Sequence, residues 1–98
     1  MQILITGRHT HLTEGEKATV EEKLSKYEKK IAELSKIDVI FNLEGDRHLL
    51  ELIFHVAHQN PLVAKTEAPS NLAALDIAIQ KMDNLVSKMN GKRNDLHK

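Results

Sequence analysis

The spacing of apolar residues in this chain switches between two periods, and the order of the switches restricts the fold more than any single motif does. "MQILIT" is a short aliphatic run closed by Gly7 and reads as a first strand. Between residues 12 and 34 the period lengthens. Val20, Leu24, Tyr27, Ile31 and Leu34 recur at spacings of four, three, four and three, which puts them on one stripe of a helix. Thr13 followed by Glu16 forms the sequence of a capping box at its start. The period then returns to two. Ile37, Val39, Phe41 and Leu43 share one face of a second strand, and Leu50, Leu52, Phe54 and Val56 one face of a third. Gly45-Asp46 supplies the turn between them, and "HQNP" turns the chain again into a shorter fourth strand, "LVAKTEA". Pro69-Ser70-Asn71 breaks that strand and can cap a second helix, with the stripe Leu72, Leu75, Ile79, Met82, Val86 and Met89. Gly91 fits a left-handed stop for this helix.

The order is therefore β-α-β-β-β-α, an α+β fold. Strands flanking a helix become parallel neighbours, whereas tight turns make the others antiparallel. Each helix has a single apolar stripe, so both should cover the same face of a four-stranded mixed sheet, leaving the other face partly open to water. Residues 1–90 are expected to form one domain and residues 91–98 a polar tail.

Only three aromatic residues are present, so Leu, Ile, Val and Ala must build the core. There is no cysteine, which excludes a disulfide scaffold, thiol catalysis and thiolate-based zinc sites. No apolar run reaches the roughly 18 residues of a membrane span. The amino terminus has no basic segment leading into a long apolar stretch. A soluble cytoplasmic protein with no membrane partner is expected.

Fourteen basic residues balance fourteen acidic ones. Net charge thus says nothing of a polyanionic partner, and only the placement of charge can. Stepping 100° per residue from the apolar stripe places Lys23, Lys26 and Lys30 at about −60°, −120° and −80°. Glu21 and Glu28 fall on the opposite flank, while Lys29 and Lys36 point elsewhere and Glu33 lies among the lysines. In the second helix Lys81, Lys88 and Lys92 fall at about −120°, −140° and −100°, again on one flank. Arg93 adds to that end. If the two rows faced a common groove they would form a phosphate-binding surface, and helix direction decides whether they do.

Other chemistry is thinly represented. His9-x-His11 and His55-x-x-His58 each bring two imidazoles together without a third ligand at helical spacing, so no metal is expected. Ser25, Ser35, Ser70 and Ser87 lie in helices or caps without the glycines of a nucleophile elbow. Gly7-Arg8 lacks the remaining glycines and the Lys-Ser/Thr pair of a phosphate loop. No catalytic residues, cofactor or small-molecule substrate are expected, so the chain reads as a binding protein and not an enzyme.

Three stretches carry a family resemblance: "MQILITGRH", the capped "LTEGEKATVEEKLSKYEKKI" and "AKTEAPSNLAALDIAIQKMDNLVSKM". Their most specific parts are Ile5-Thr6-Gly7, the Thr-Glu helix opening, and Ala73-Ala74-Leu75-Asp76. Together they resemble the short ribosome hibernation-promoting factors, also called ribosome-associated inhibitors or sigma modulation proteins. The resemblance implies a fold similar to a double-stranded-RNA-binding domain with an added first strand. It further implies a translation inhibitor lodged in the mRNA/tRNA channel of the small ribosomal subunit, against its rRNA. A second, ribosome-dimerising factor becomes a further candidate partner. Carried over by position, the family's RNA-facing residues fall on Lys23, Lys26, Lys81 and Lys88. Lys65 takes an often basic fourth-strand position, and Arg8 follows the Ile-Thr-Gly start. The sequence departs from the family at Asn71-Leu72, where Met-Tyr is usual, and at "HQNP", where a Gly-rich loop is usual. The separate carboxy-terminal domain of the long-form members is not expected here. The expected RNA-binding set is thus Arg8, Lys23, Lys26, Lys30, Lys65, Lys81, Lys88, Lys92 and Arg93. The alternative is a protein-interaction module that uses the open sheet face without RNA.

Overall fold

The computed structural model describes the backbone of residues 1–95 and the side chains of residues 1–90. Its elements are β1 (Gln2–Arg8), α1 (Glu14–Ser25), α2 (Tyr27–Lys30), β2 (Leu34–Glu44), β3 (Arg47–Val56), β4 (Leu62–Ala68) and α3 (Asn71–Asp95). The sheet order is β1-β2-β3-β4. β1 runs parallel to β2, with Ile3 opposite Ile37 and Ile5 opposite Val39. The two remaining pairings are antiparallel. This is the mixed α+β architecture that the alternating periods predict.

Period two decides which face of the sheet is covered. Ile37, Val39, Phe41, Leu50, Leu52, Phe54 and Val56 are all buried beneath the helices, together with Ala64 and Ala68 of β4. Each large aliphatic side chain among them contributes roughly 1.5–3 kcal/mol on burial. The intervening residues form the open face. There the ladder aligns Leu4, Asp38, Ile53 and Val63 in one cross-strand row. Leu4 and Val63 remain exposed.

Two glycines are set by geometry. A Cβ on Gly7 would lie 2.6 Å from the Thr10 carbonyl oxygen, so the chain leaving β1 can fold back only over a glycine. Gly45 opens the β2–β3 turn at φ +64°, a conformation that glycine adopts without steric cost.

The expected first helix is shortened and interrupted. Thr13 and Glu16 form the capping box, each side chain accepting from the other's backbone N–H. α1 then ends at Ser25, whose hydroxyl donates back to the Glu22 carbonyl oxygen at 3.0 Å. That bond competes with the helical ladder. Lys26 interrupts the ladder but keeps right-handed helical angles before the single turn of α2. Leu34 is buried as the stripe requires, yet it opens β2 and is not helical. A spacing of three from Ile31 matches a helix, but the tight turn bonded from Leu34 N–H to Ile31 O produces the same burial.

α3 begins as expected, with the Ser70 hydroxyl accepting from the Ala73 N–H. Its buried stripe centres on Ala74, Leu75, Ala78, Met82 and Val86, and Leu72, Ile79 and Met89 are only partly buried. Contrary to expectation the helix does not stop at Gly91 but runs through it to Asp95. A lone glycine costs a helix about 1 kcal/mol relative to alanine without forcing termination.

Candidate nucleic-acid interface

The floor of the α1–α3 seam is Tyr27, which is fully buried. Its ring meets Phe54 edge-on, with centroids 4.8 Å apart and planes at 69°. Its hydroxyl donates to the Asp83 carboxylate on α3. Burial, then the hydrogen bond to Asp83, then the carboxylate's charge hold the phenol well above its ordinary pKa. The ammonium groups of Lys26 and Lys30 stand 5.0 and 5.9 Å from the Tyr27 ring centroid, within cation–π reach. One turn earlier Lys23 Nζ lies 2.6 Å from Asp76 Oδ1. Lys23, Lys26 and Lys30 therefore do cluster, and they cluster on the side of α1 and α2 that faces α3.

The lysines of α3 do not face them. Asp76 and Asp83, seven residues apart, share the flank of α3 turned towards α1. Lys81 sits about 140–160° around the helix from both. Its ammonium donates to the Lys65 carbonyl oxygen at 3.1 Å, on the outer edge of β4. Lys65, Lys81 and Lys88 line one groove of about 360 Å³ between β4 and α3, together with Val63 and Asn84. The common groove allowed by the sequence is thus replaced by two basic rows on opposite flanks of α3, with Asp76 and Asp83 on the seam side.

Arg8 belongs to neither row. It lines an open hollow of about 270 Å³ on the uncovered sheet face, which Lys65 and Glu51 also line. Lys65 Nζ is 3.5 Å from Glu51 Oε2 there. The side chains of Lys92 and Arg93 lie outside the described residues.

Lys36, expected to be a plain surface lysine, lies on β2 with its Nζ 3.4 Å from Asp38 Oδ1. His55 Nε2 approaches Asp38 Oδ2 at 2.8 Å. Partial burial pushes the Asp38 pKa up, but hydrogen bonds from His55 and Lys36, then their charges, bring it below the ordinary carboxylate range. Among the described residues no three His, Cys, Asp or Glu side chains gather as a metal site. His9 and His58 adopt positive φ, +59° and +65°.

The contacts of three polar residues escaped the sequence reading, although Asp76 and Asn71 themselves stand in the stretches it singles out. Asp76 and Asp83 were readable by the same 100° step that placed the lysines, since both fall on the flank opposite Lys81 and Lys88. Asn71 was not readable. It is buried, and its Oδ1 contacts His48 Nδ1 at 2.8 Å, joining the start of α3 to β3.

A four-stranded mixed sheet in consecutive order, covered on one face by helices that carry lysine rows along their flanks, defines a small α+β domain with its charged features on the outside. The chain belongs to the Sigma 54 modulation protein / S30EA ribosomal protein family, whose model matches residues 3–94. It is 29% identical over 93 residues to a ribosome hibernation promoting factor of Azotobacter vinelandii, covering 95% of this chain and 86% of that protein. A protein of the same name from Pseudomonas putida is 27% identical over 96 residues, covering 98% and 93%. Among solved structures, a ribosomal subunit interface protein from Coxiella burnetii superposes with a TM-score of 0.81 at 20% identity, over 93% of this chain and 99% of that one. The Protein Y N-terminal domain of Thermus thermophilus gives 0.79 at 21% identity, over 91% and 99%. These two likenesses are of fold. No described helix is long and apolar enough to cross a membrane.

Proposed function

We propose that this protein is a cytoplasmic ribosome-binding translation inhibitor and hibernation factor that acts by occupancy and not by catalysis. The family match from residue 3 to residue 94 carries the proposal. The name of the relatives in Azotobacter vinelandii and Pseudomonas putida, ribosome hibernation promoting factor, supports the same reading. In this reading the helix layer enters the mRNA/tRNA channel of the small subunit and its lysine rows neutralise rRNA phosphates. Each neutralised phosphate releases counterions, which supplies affinity, and the shape of the folded RNA supplies selectivity. With one tyrosine and two phenylalanines, all three buried, the surface is poorly suited to stacking on single-stranded bases. A second factor that dimerises ribosomes remains compatible with this role.

One observation favours the competing reading, a protein-interaction module without RNA. Leu4 and Val63 stand exposed on the open sheet face, in the row that also holds Ile53. Sucrose-gradient fractionation of a native lysate separates the two. Co-migration with small subunits or whole ribosomes is expected, and residence at the top of the gradient would favour the competing reading.

A further inference from the structure

We infer that Asp76, supported by Asp83, is a specificity-determining residue that makes the seam between α1 and α3 a poor site for polyanions in general. The inference rests on the reading that the helix layer meets folded RNA, and it concerns which RNA is admitted.

Lys23 is the lysine through which Asp76 acts. Its ammonium is 2.6 Å from the carboxylate, and the two side chains are 40% and 57% exposed, so a partner can reach both. A phosphate approaching Lys23 must displace Asp76 or lie against its negative charge. Asp83 repeats that charge seven residues on, held in the seam by the Tyr27 hydroxyl. Lys26 and Lys30 on one side, and Lys81 and Lys88 on the other, have no carboxylate partner among the described residues.

The helix layer thus has two free basic rows flanking an acidic strip. A flexible polyanion that settles into the seam meets Asp76 and Asp83. A rigid folded RNA with its phosphates in two separated lines can engage both rows and leave the strip uncovered. Repulsion of the wrong partner contributes to specificity as much as attraction of the right one. Since the chain's charges sum to zero, there is also no general pull on polyanions to overcome.

The test compares Asp76→Asn with Glu21→Gln, an equal charge change on the opposite flank of α1. Each variant and the parent are titrated with poly(U) and with purified small ribosomal subunits across a potassium chloride series. Asp76→Asn should bind poly(U) about two- to fivefold more tightly than Glu21→Gln does, the size expected for freeing one exposed ion pair. Small-subunit affinity should rise by less, so that selectivity falls. Adding Lys23→Gln should remove the gain, a dependence of poly(U) binding on Lys23 that a purely structural Asp76 would not show. Equal gains in the two charge variants would overturn the inference. So would weaker poly(U) binding by Asp76→Asn, or an equal rise for poly(U) and small subunits. If the parent itself failed to bind small subunits, the proposed function would fail, and the poly(U) comparison alone would decide the role of Asp76.

Discussion

The two flanks of α3 hold cations in opposite ways. On the seam side Lys23 pairs with a carboxylate, and Asp83 anchors the hydroxyl of buried Tyr27. On the β4 side Lys81 docks on a backbone carbonyl, and Lys88 borders an open groove. A carboxylate partner cancels the charge of an ammonium, whereas a carbonyl partner fixes its position and leaves the charge in place. Lys23 and Tyr27 therefore tie the helices together at the seam, whereas the β4 flank, like Lys26 and Lys30 beside the seam, keeps its charge for a partner. Lys81 also covers part of the exposed β4 edge, which discourages another strand from pairing there.

Breaking the seam at its floor should have the largest effect. Tyr27→Ala removes a fully buried aromatic against Phe54 and should cost about 3–5 kcal/mol in denaturant unfolding. Lys81→Ala, on the exposed flank, should stay within about ±0.5 kcal/mol. Similar costs for the two would mean that the seam is not the structural flank.

Binding should show the reverse ranking. If the β4 flank supplies free charge, Lys81→Ala and Lys88→Ala should each lower the salt slope of small-subunit binding by about one. Lys23→Ala should lower it less, because Asp76 already neutralises that ammonium. A larger loss from Lys23→Ala would mean that Asp76 does not neutralise that ammonium.

Two pH limbs give smaller signals. The raised Tyr27 pKa means that the folded state keeps a proton which the unfolded chain releases near its ordinary value of about 10. The stabilisation is complete below that pH and is lost as pH rises towards the folded-state value. Tyr27→Phe should lose about 1 kcal/mol at neutral pH with the hydrogen bond to Asp83 and flatten the alkaline limb. Thermal melts from neutral to strongly alkaline pH would detect it. For Asp38 the sign is opposite. Its depressed pKa contributes stability above the ordinary value of about 3.9, and this is lost as pH falls through the folded-state value. Asp38→Asn should flatten the acid limb slightly, and an unchanged limb would mean that the contacts from His55 and Lys36 do not act on folding.

Much of the fold could be read from the sequence, because strand and helix periods are local properties. The capping box at Thr13, the inward residues of β2 and β3, and the bounds of β4 all follow from neighbours a few positions apart. The break at Lys26 and the transfer of Leu34 to a strand follow from a side-chain bond and a tight turn that leave the burial pattern unaltered. Within the interface, periodicity assigned each lysine to a flank of its own helix. It could not show that Lys23 meets Asp76 or that Lys81 meets the β4 edge, since those contacts span 53 and 16 residues. Asn71 and His48 are joined across 23 residues in the same way.

The most direct test of the two-row interface uses a pair of charge-matched double variants. Lys26→Glu with Lys88→Glu places a reversal in each row. Lys17→Glu with Lys29→Glu makes the same change in net charge on α1 and α2, outside both rows; Lys36 is a poorer control because its partner Asp38 is only 18% exposed, whereas Lys17 pairs with the 94% exposed Glu14. All four target sites are solvent-accessible, so both proteins should fold with stability close to the parent. Sedimentation with purified small ribosomal subunits should be abolished for Lys26→Glu with Lys88→Glu and nearly preserved for Lys17→Glu with Lys29→Glu. Equal loss in both would reduce the interface to diffuse charge, and equal retention would mean that neither row touches the ribosome.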